Sequence, residues 1–161
     1  MPIEKSIACL LATLGASALS MSALAADTLK IGMVLPMSGP FAAYGKQIEH
    51  GARLYLQQSG GSFAGRKVEL IVKDDTGIAP EISKRAAQEL VVKDKVDVLA
   101  GFGLTPSALA AAAIATEAKK PMIVMNAAAS VITTKSNYIL RVSHTLPQIT
   151  APIAGWAAKN R

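Results

Sequence analysis

The chain has 161 residues, 51% of them hydrophobic and 17% charged, with a formal net charge of +6 at pH 7. That length and balance suit one globular domain and exclude a disordered chain. The single cysteine, Cys9, lies near the N-terminus, so the rest of the sequence has no disulfide framework, thiolate metal site or cysteine nucleophile.

Residues 1–25 read as an export signal. Lys5 supplies a positive start, Ile7 to Leu19 form an apolar stretch broken only by small residues, and Ala23-Leu24-Ala25 gives the A-x-A pattern for cleavage before Ala26. The stretch is short for a bilayer span and is interrupted by Ser17, Ser20 and Ser22, which favours a cleaved signal over an anchor. No apolar region precedes Cys9, so a lipoprotein site is not expected there. Cleavage removes Glu4 and Lys5 and leaves 16 bases against 10 acids, so the basic balance belongs to residues 26–161. Those bases are scattered (Lys46, Arg53, Lys67, Lys73, Lys84, Lys95, Lys119, Lys135), without a run of five and without interleaved aromatics. A solvated surface is expected, and no nucleic-acid partner.

From Leu29 the chain alternates between two periods. Leu29 to Leu35 is a continuous apolar strand, and Ser38-Gly39-Pro40 leads into a helix whose Ile48, Gly51, Ala52, Tyr55 and Leu56 share one face. Ser59-Gly60-Gly61 ends that helix. Val68 to Val72 is a second strand, followed by Asp74-Asp75 and by a helix with Pro80 and Glu81 in its first turn and Ile82, Ala86 and Leu90 on its buried face. A third strand, Val96 to Ala100, runs into Gly101-Phe102-Gly103, after which Thr105-Pro106 reads as an N-cap followed by the first helical proline. Alanine-rich Ser107 to Lys119 is the third helix, Met122 to Met125 and Tyr138 to Val142 are the fourth and fifth strands, and a last helix begins near Gln148. Doubly buried strands linked by helices of about a dozen residues predict right-handed βαβ units. The expected class is α/β, a doubly wound, mainly parallel sheet with helices on both faces. The last helix ends without a C-cap glycine or a following strand, which reads as a fragment of a longer protein.

In open parallel sheets ligands bind beyond the carboxyl ends of the strands, where strand order reverses. The loops after the first, third and fourth strands offer Ser38, Gly39 and Tyr44; Gly103, Leu104, Thr105 and Ser107; and Asn126 to Ser130. A helix N-terminus with unpaired N–H groups and a hydroxyl such as Thr105 can hold a carboxylate, alongside the capping role of that threonine. Gly101-Phe102-Gly103 fails as a dinucleotide fingerprint, because Pro106 stands at the third glycine position and the first strand leads instead to Met37-Ser38-Gly39-Pro40. No cofactor is expected. Neither G-x-S-x-G nor H-E-x-x-H occurs, and His50 and His144 lack a metal partner at usable spacing, so no catalytic or metal residue is assigned. Asp74 and Asp75 should point to opposite faces, which suits helix capping and solvation better than acid–base work or a cation site.

Four blocks carry a family resemblance: Ile31-Gly32 through Met37-Ser38-Gly39-Pro40 with Tyr44-Gly45; Gly60-Gly61 with Gly65-Arg66; Asp74-Asp75 with Pro80; and Gly101 through Thr105-Pro106-Ser107, followed by Met122 to Ser130. Together with Tyr138 to Arg141 they resemble the type I periplasmic solute-binding proteins of ABC importers, in particular the leucine/isoleucine/valine-binding branch. The resemblance implies two α/β lobes that close on a ligand at a hinge, with residues 26–161 forming the N-terminal lobe. It further implies a periplasmic location, a monomer when intact, delivery to an ABC permease in the inner membrane, and no enzymatic step. By the same resemblance Tyr44 lines the cleft, the Thr105 hydroxyl binds a ligand carboxylate, and Ala127, Ala129 and Ser130 meet the head group through backbone groups and a hydroxyl. Ser38, Leu104 and Ser107 are secondary candidates. The threonine that the branch often carries in that last loop is Ala129 here, with Ser130 beside it, and the cysteine pair of some members is absent. A branched-chain amino acid is the leading ligand, with aromatic acids, amides or a sensor role of the same fold as alternatives. A secreted hydrolase, the third reading, lacks a nucleophile elbow.

Overall fold

The computed structural model describes residues 28–160, so the expected signal at residues 1–25 lies outside it. The apolar run Leu29–Leu35 forms β1, buried over its last four residues. It pairs in parallel with β3 (Arg66–Asp74) on one side and with β4 (Val98–Gly101) on the other. A strand with neighbours on both edges and helices above and below is apolar where both faces are covered, which is why β1 shows no alternation from Ile31 onward, while Lys30, at its less buried start, reaches Asp94 O (3.4 Å). Beyond β4 lie β5 (Met122–Val124) and β6 (Ile139–Arg141), also parallel. A short β2 (Ser62–Phe63) pairs antiparallel with β3 at the outer edge and completes a six-stranded sheet in the order β2-β3-β1-β4-β5-β6 among the described residues. The five strands expected from the sequence are therefore joined by a sixth. Its hairpin turns at Ala64 and Gly65, both at positive φ (49° and 77°), as a two-residue turn matched to strand twist requires.

Among the described residues three helices link the strands, α1 (Ala42–Gln58), α2 (Pro80–Val92) and α3 (Thr105–Glu117), and a fourth, α4 (Leu146–Lys159), follows β6. On one face α2 and α3 close a core of Val34, Leu90, Leu99, Phe102, Met122 and Ile132. The small side chains Ala86, Ala87, Ala108, Ala111 and Ala115 are buried in that same core, so α2 and α3 can lie close together. On the other face Ile48 and Ala52 of α1 pack on Met33, Leu35 and Ala100. Tyr55, on the same predicted stripe of α1, is instead 69% exposed. It borders an open apolar groove of about 580 Å³ whose walls include Ile31, Met33, Leu70, Ile123 and Val142.

Two helix starts differ from expectation. Leu104, in extended geometry, holds the N-cap position of α3, and Thr105 is the first helical residue with no side-chain cap bond. The proline that follows is accommodated in the first turn, where its missing N–H costs nothing, so the cap moves back by one residue. At α4, Thr145 and Gln148 form a reciprocal capping box, so the helix starts at Leu146 and Gln148 is its third residue. Apart from half-buried Ala157, α4 is exposed, including Leu146, Ile149, Ile153 and Trp156.

Candidate functional site

After β1 the chain passes through α1 and β2 to β3 on one side, whereas β4 lies on the other, so strand order reverses beside β1. The carboxyl ends of β1, β4 and β5 therefore carry three loops at one end of the sheet, where open parallel sheets bind ligands. Backbone bonds stitch them together: Phe102 N–H donates to Val34 O (2.8 Å), Met125 N–H to Gly101 O (2.8 Å) and Ala127 N–H to Phe102 O (3.1 Å). The Asn126 side-chain amide donates to Gly103 O at 2.8 Å. A Cβ on Gly101, which sits at φ +100°, would lie 2.5 Å from Val34 O, so only glycine lets the β4 loop cross β1 this closely. Phe102 next to it also has positive φ (60°), an uncommon conformation for a bulky residue, and its fully buried ring fastens the loop to the core.

The acidic pair after β3 supports the β1 loop. Asp74 Oδ1 accepts the N–H groups of Met37 (2.8 Å), Ser38 (3.3 Å) and Thr76 (2.8 Å). Its partial burial raises the carboxyl pKa, but hydrogen bonds from the Ser38 side chain and from the backbone of Thr76, Met37 and Ser38 outweigh this and leave it below the ordinary value. Asp75 is 1% exposed and accepts the Gly77 N–H (3.0 Å) and the Ser83 hydroxyl (3.0 Å). Capping and solvation were expected for this pair. Neither caps α2, whose N-cap is Ala79, and Asp75 is buried because the turn and Ser83 satisfy its oxygens.

Of the candidate residues, Tyr44 lies in the first turn of α1, half exposed, with its ring 6.3 Å from that of Phe41. Ser38 is exposed, and Leu104 and Thr105 are half-buried. Thr105 directs its hydroxyl to no partner among the described residues. Ser107 is fully buried, and its hydroxyl donates to Gly77 O (3.4 Å), which links α3 to the turn of Asp75. Ala127 is buried in the core, Ala129 half-buried and Ser130 exposed at the start of a 3-10 turn, Ser130–Thr134. The sheet thus gathers the β1, β4 and β5 loops at one end. His50 and His144 are both exposed, and among the described residues no three His, Cys, Asp or Glu side chains assemble as metal ligands.

One residue escaped the sequence reading in this role. Arg141, at the end of β6, donates from Nε to Ala127 O (3.1 Å) and from Nη2 to Ala129 O. Between them, Ala128 O accepts the N–H of Leu146 at 2.9 Å. No local spacing announces a bond across 12 or 14 residues. The outcome is a loop whose carbonyls face the chain and whose N–H groups at Ala128, Ala129 and Ser130 take no acceptor among the described residues.

An open α/β lobe of this strand order matches one lobe of the type I periplasmic binding proteins. Residues 28–161 match the family described as periplasmic binding protein, and the chain belongs to it. A Leu/Ile/Val-binding protein homolog 6 from Brucella abortus is 44% identical over 144 residues, covering 89% of this chain and 37% of the relative. The chain therefore spans little more than a third of the length of that relative. A solute-binding protein of an ABC transporter from Rhodopseudomonas palustris, solved in complex with 3,4-dihydroxybenzoic acid, is 54% identical with a TM-score of 0.81, over 83% of this chain and 37% of that one. A leucine-binding protein from Thermotoga maritima is 28% identical with a TM-score of 0.77, over 83% and 37%.

Proposed function

We propose that this chain forms the N-terminal ligand-binding lobe of an ABC-importer solute-binding protein that captures an aromatic carboxylate, such as a hydroxybenzoate, in the periplasm and hands it to an inner-membrane permease. The observation that carries this reading is the polarity of the crevice. The Asn126–Ser130 loop offers N–H groups and a hydroxyl, while the two carboxylates behind the neighbouring loops, Asp74 and Asp75, already accept hydrogen bonds from the protein. A carboxylate needs donors of this kind, whereas an α-ammonium needs acceptors or a negative charge. The relation to the dihydroxybenzoate-bound protein, at 54% identity against 28% for the leucine-binding one, supports the same choice. In this reading Thr105 and Ser130 donate to the carboxylate with the N–H groups of Ala128 and Ala129, Tyr44 lies along the ring, and Ala127 contributes only backbone. Ser38 and Leu104 form the rim, and Ser107 braces α3 from behind. No step of the cycle calls for a cofactor or a second protomer.

Uptake of a branched-chain amino acid is the second reading, favoured by the Brucella relative. Calorimetry on the full-length protein, freed of endogenous ligand, separates the two. Saturable binding of 3,4-dihydroxybenzoate or 4-hydroxybenzoate without binding of leucine or valine is the expected result, and the reverse pattern refutes the assignment.

A further inference from the structure

The β5 loop owes its polarity to the segment that follows it. Three consecutive carbonyls, Ala127, Ala128 and Ala129, are occupied by donors from residues 141–146, two of those three bonds coming from one guanidinium, and Ala129 O accepts the Ile132 N–H (3.2 Å) as well. A planar fork with fixed donor angles can hold two carbonyls of one turn at once, which an ammonium or an amide cannot do with the same geometry. With these carbonyls turned toward Arg141, the intervening N–H groups of Ala128 and Ala129 are left for a ligand. Val142 N–H, the next group along, donates to Val124 O at 3.1 Å and ties the segment to β5. The ends of β5 and β6 thus form one frame around the loop.

We propose that Arg141 is a positioning residue that sets the ligand preference of the cleft: by occupying the Ala127 and Ala129 carbonyls it makes the loop a donor for acids and withholds the acceptors that an amine would need. This inference rests on the aromatic-carboxylate reading above. It assigns Arg141 no contact with ligand.

The test compares full-length parent, Arg141→Gln and Arg141→Lys, each titrated with 3,4-dihydroxybenzoate and with 3,4-dihydroxybenzylamine, which has the same ring and a cationic head. Amide hydrogen exchange across residues 126–130 is followed in the ligand-free proteins. In Arg141→Gln the acid should bind about 10- to 100-fold more weakly, the scale set by losing a charge-assisted hydrogen bond, while the amine does not weaken in parallel, so that the acid-to-amine ratio collapses. Exchange across the loop should quicken in the same variant, with Arg141→Lys intermediate in both readouts. A merely structural arginine would weaken both ligands equally and leave the ratio unchanged, which overturns the proposal. Parent that binds the acid, with variants that keep its affinity and ratio, overturns the role of Arg141 alone. Parent that binds no aromatic acid overturns the ligand class, and the selectivity role with it.

Discussion

Two glycines on α1 invite the same substitution with opposite outcomes. Alanine is favoured over glycine in a helix interior by about 1 kcal/mol. At Gly51 a new Cβ meets nothing within 4 Å, so Gly51→Ala should keep most of that gain and stabilise the protein by about 0.5–1 kcal/mol. At Gly45 the Cβ would lie 2.2 Å from Pro36 O and 2.7 Å from Pro36 C, far inside ordinary contact, and the obstacle is backbone rather than a side chain that can rotate away. Overpacking costs about 1–3 kcal/mol, and a backbone obstacle this close puts Gly45 at the upper end, so after the propensity gain of about 1 kcal/mol Gly45→Ala should be destabilising by about 2 kcal/mol. Because relief requires α1 to lift off the β1 turn, Tyr44 moves with it and ligand affinity should fall as well. Urea denaturation followed by circular dichroism reads the stabilities as shifts of the midpoint at constant slope. If Gly45→Ala raises the midpoint as Gly51→Ala does, the close approach of α1 to Pro36 is wrong.

Two further predictions bear on the site. Asp74 has a lowered pKa in the folded protein, so its contribution is complete above the unfolded value near 4 and is lost as pH falls through the lower folded value. Asp74→Asn should therefore cost about 1 kcal/mol at neutral pH, a figure kept small because the group is solvent-exposed, and should flatten the loss of stability below about pH 4. Parallel pH profiles for the two proteins would show that its bonds to the β1 loop do not favour the carboxylate. Thr105→Ala should weaken acid binding by about 1.5–3 kcal/mol if its hydroxyl meets the carboxylate, while Thr105→Ser restores most of it. Since Leu104, not Thr105, holds the N-cap position, the melting temperature should change little; a stability loss without an affinity loss would leave Thr105 a helix residue only.

The class of the fold was legible because its signals are local. The apolar run at β1, interrupted only by Lys30, and the 3.6-residue stripes of α1 and α2 need no partner to be recognised, and the position of the ligand end of the sheet follows from strand order by rule. β2 was hidden because two residues carry no periodicity, and the positive φ of Ala64 in its turn is not announced by an alanine in the sequence. The cap of α3 was misplaced by one residue because threonine before proline resembles a cap equally well when it is the first helical residue. Asp74 and Arg141 were beyond local reasoning for a different cause. Asp74 acts on residues 36 and 37 positions earlier, and Arg141 on residues 12 and 14 positions earlier, so their chemistry exists only after the sheet has formed.

The buried ring of Phe102 has a consequence for how such a lobe can change its cargo. The left-handed turn it occupies is held by the core under α2 and α3, so the backbone around the crevice is specified by interior packing rather than by the solute. In the proposed reading the ligand-facing side chains, Tyr44, Thr105 and Ser130, can then be exchanged without redrawing that backbone. One scaffold can in this way diversify toward different solutes by a few surface substitutions, while mutations beneath Phe102 should disturb the three loops together, whatever solute they hold.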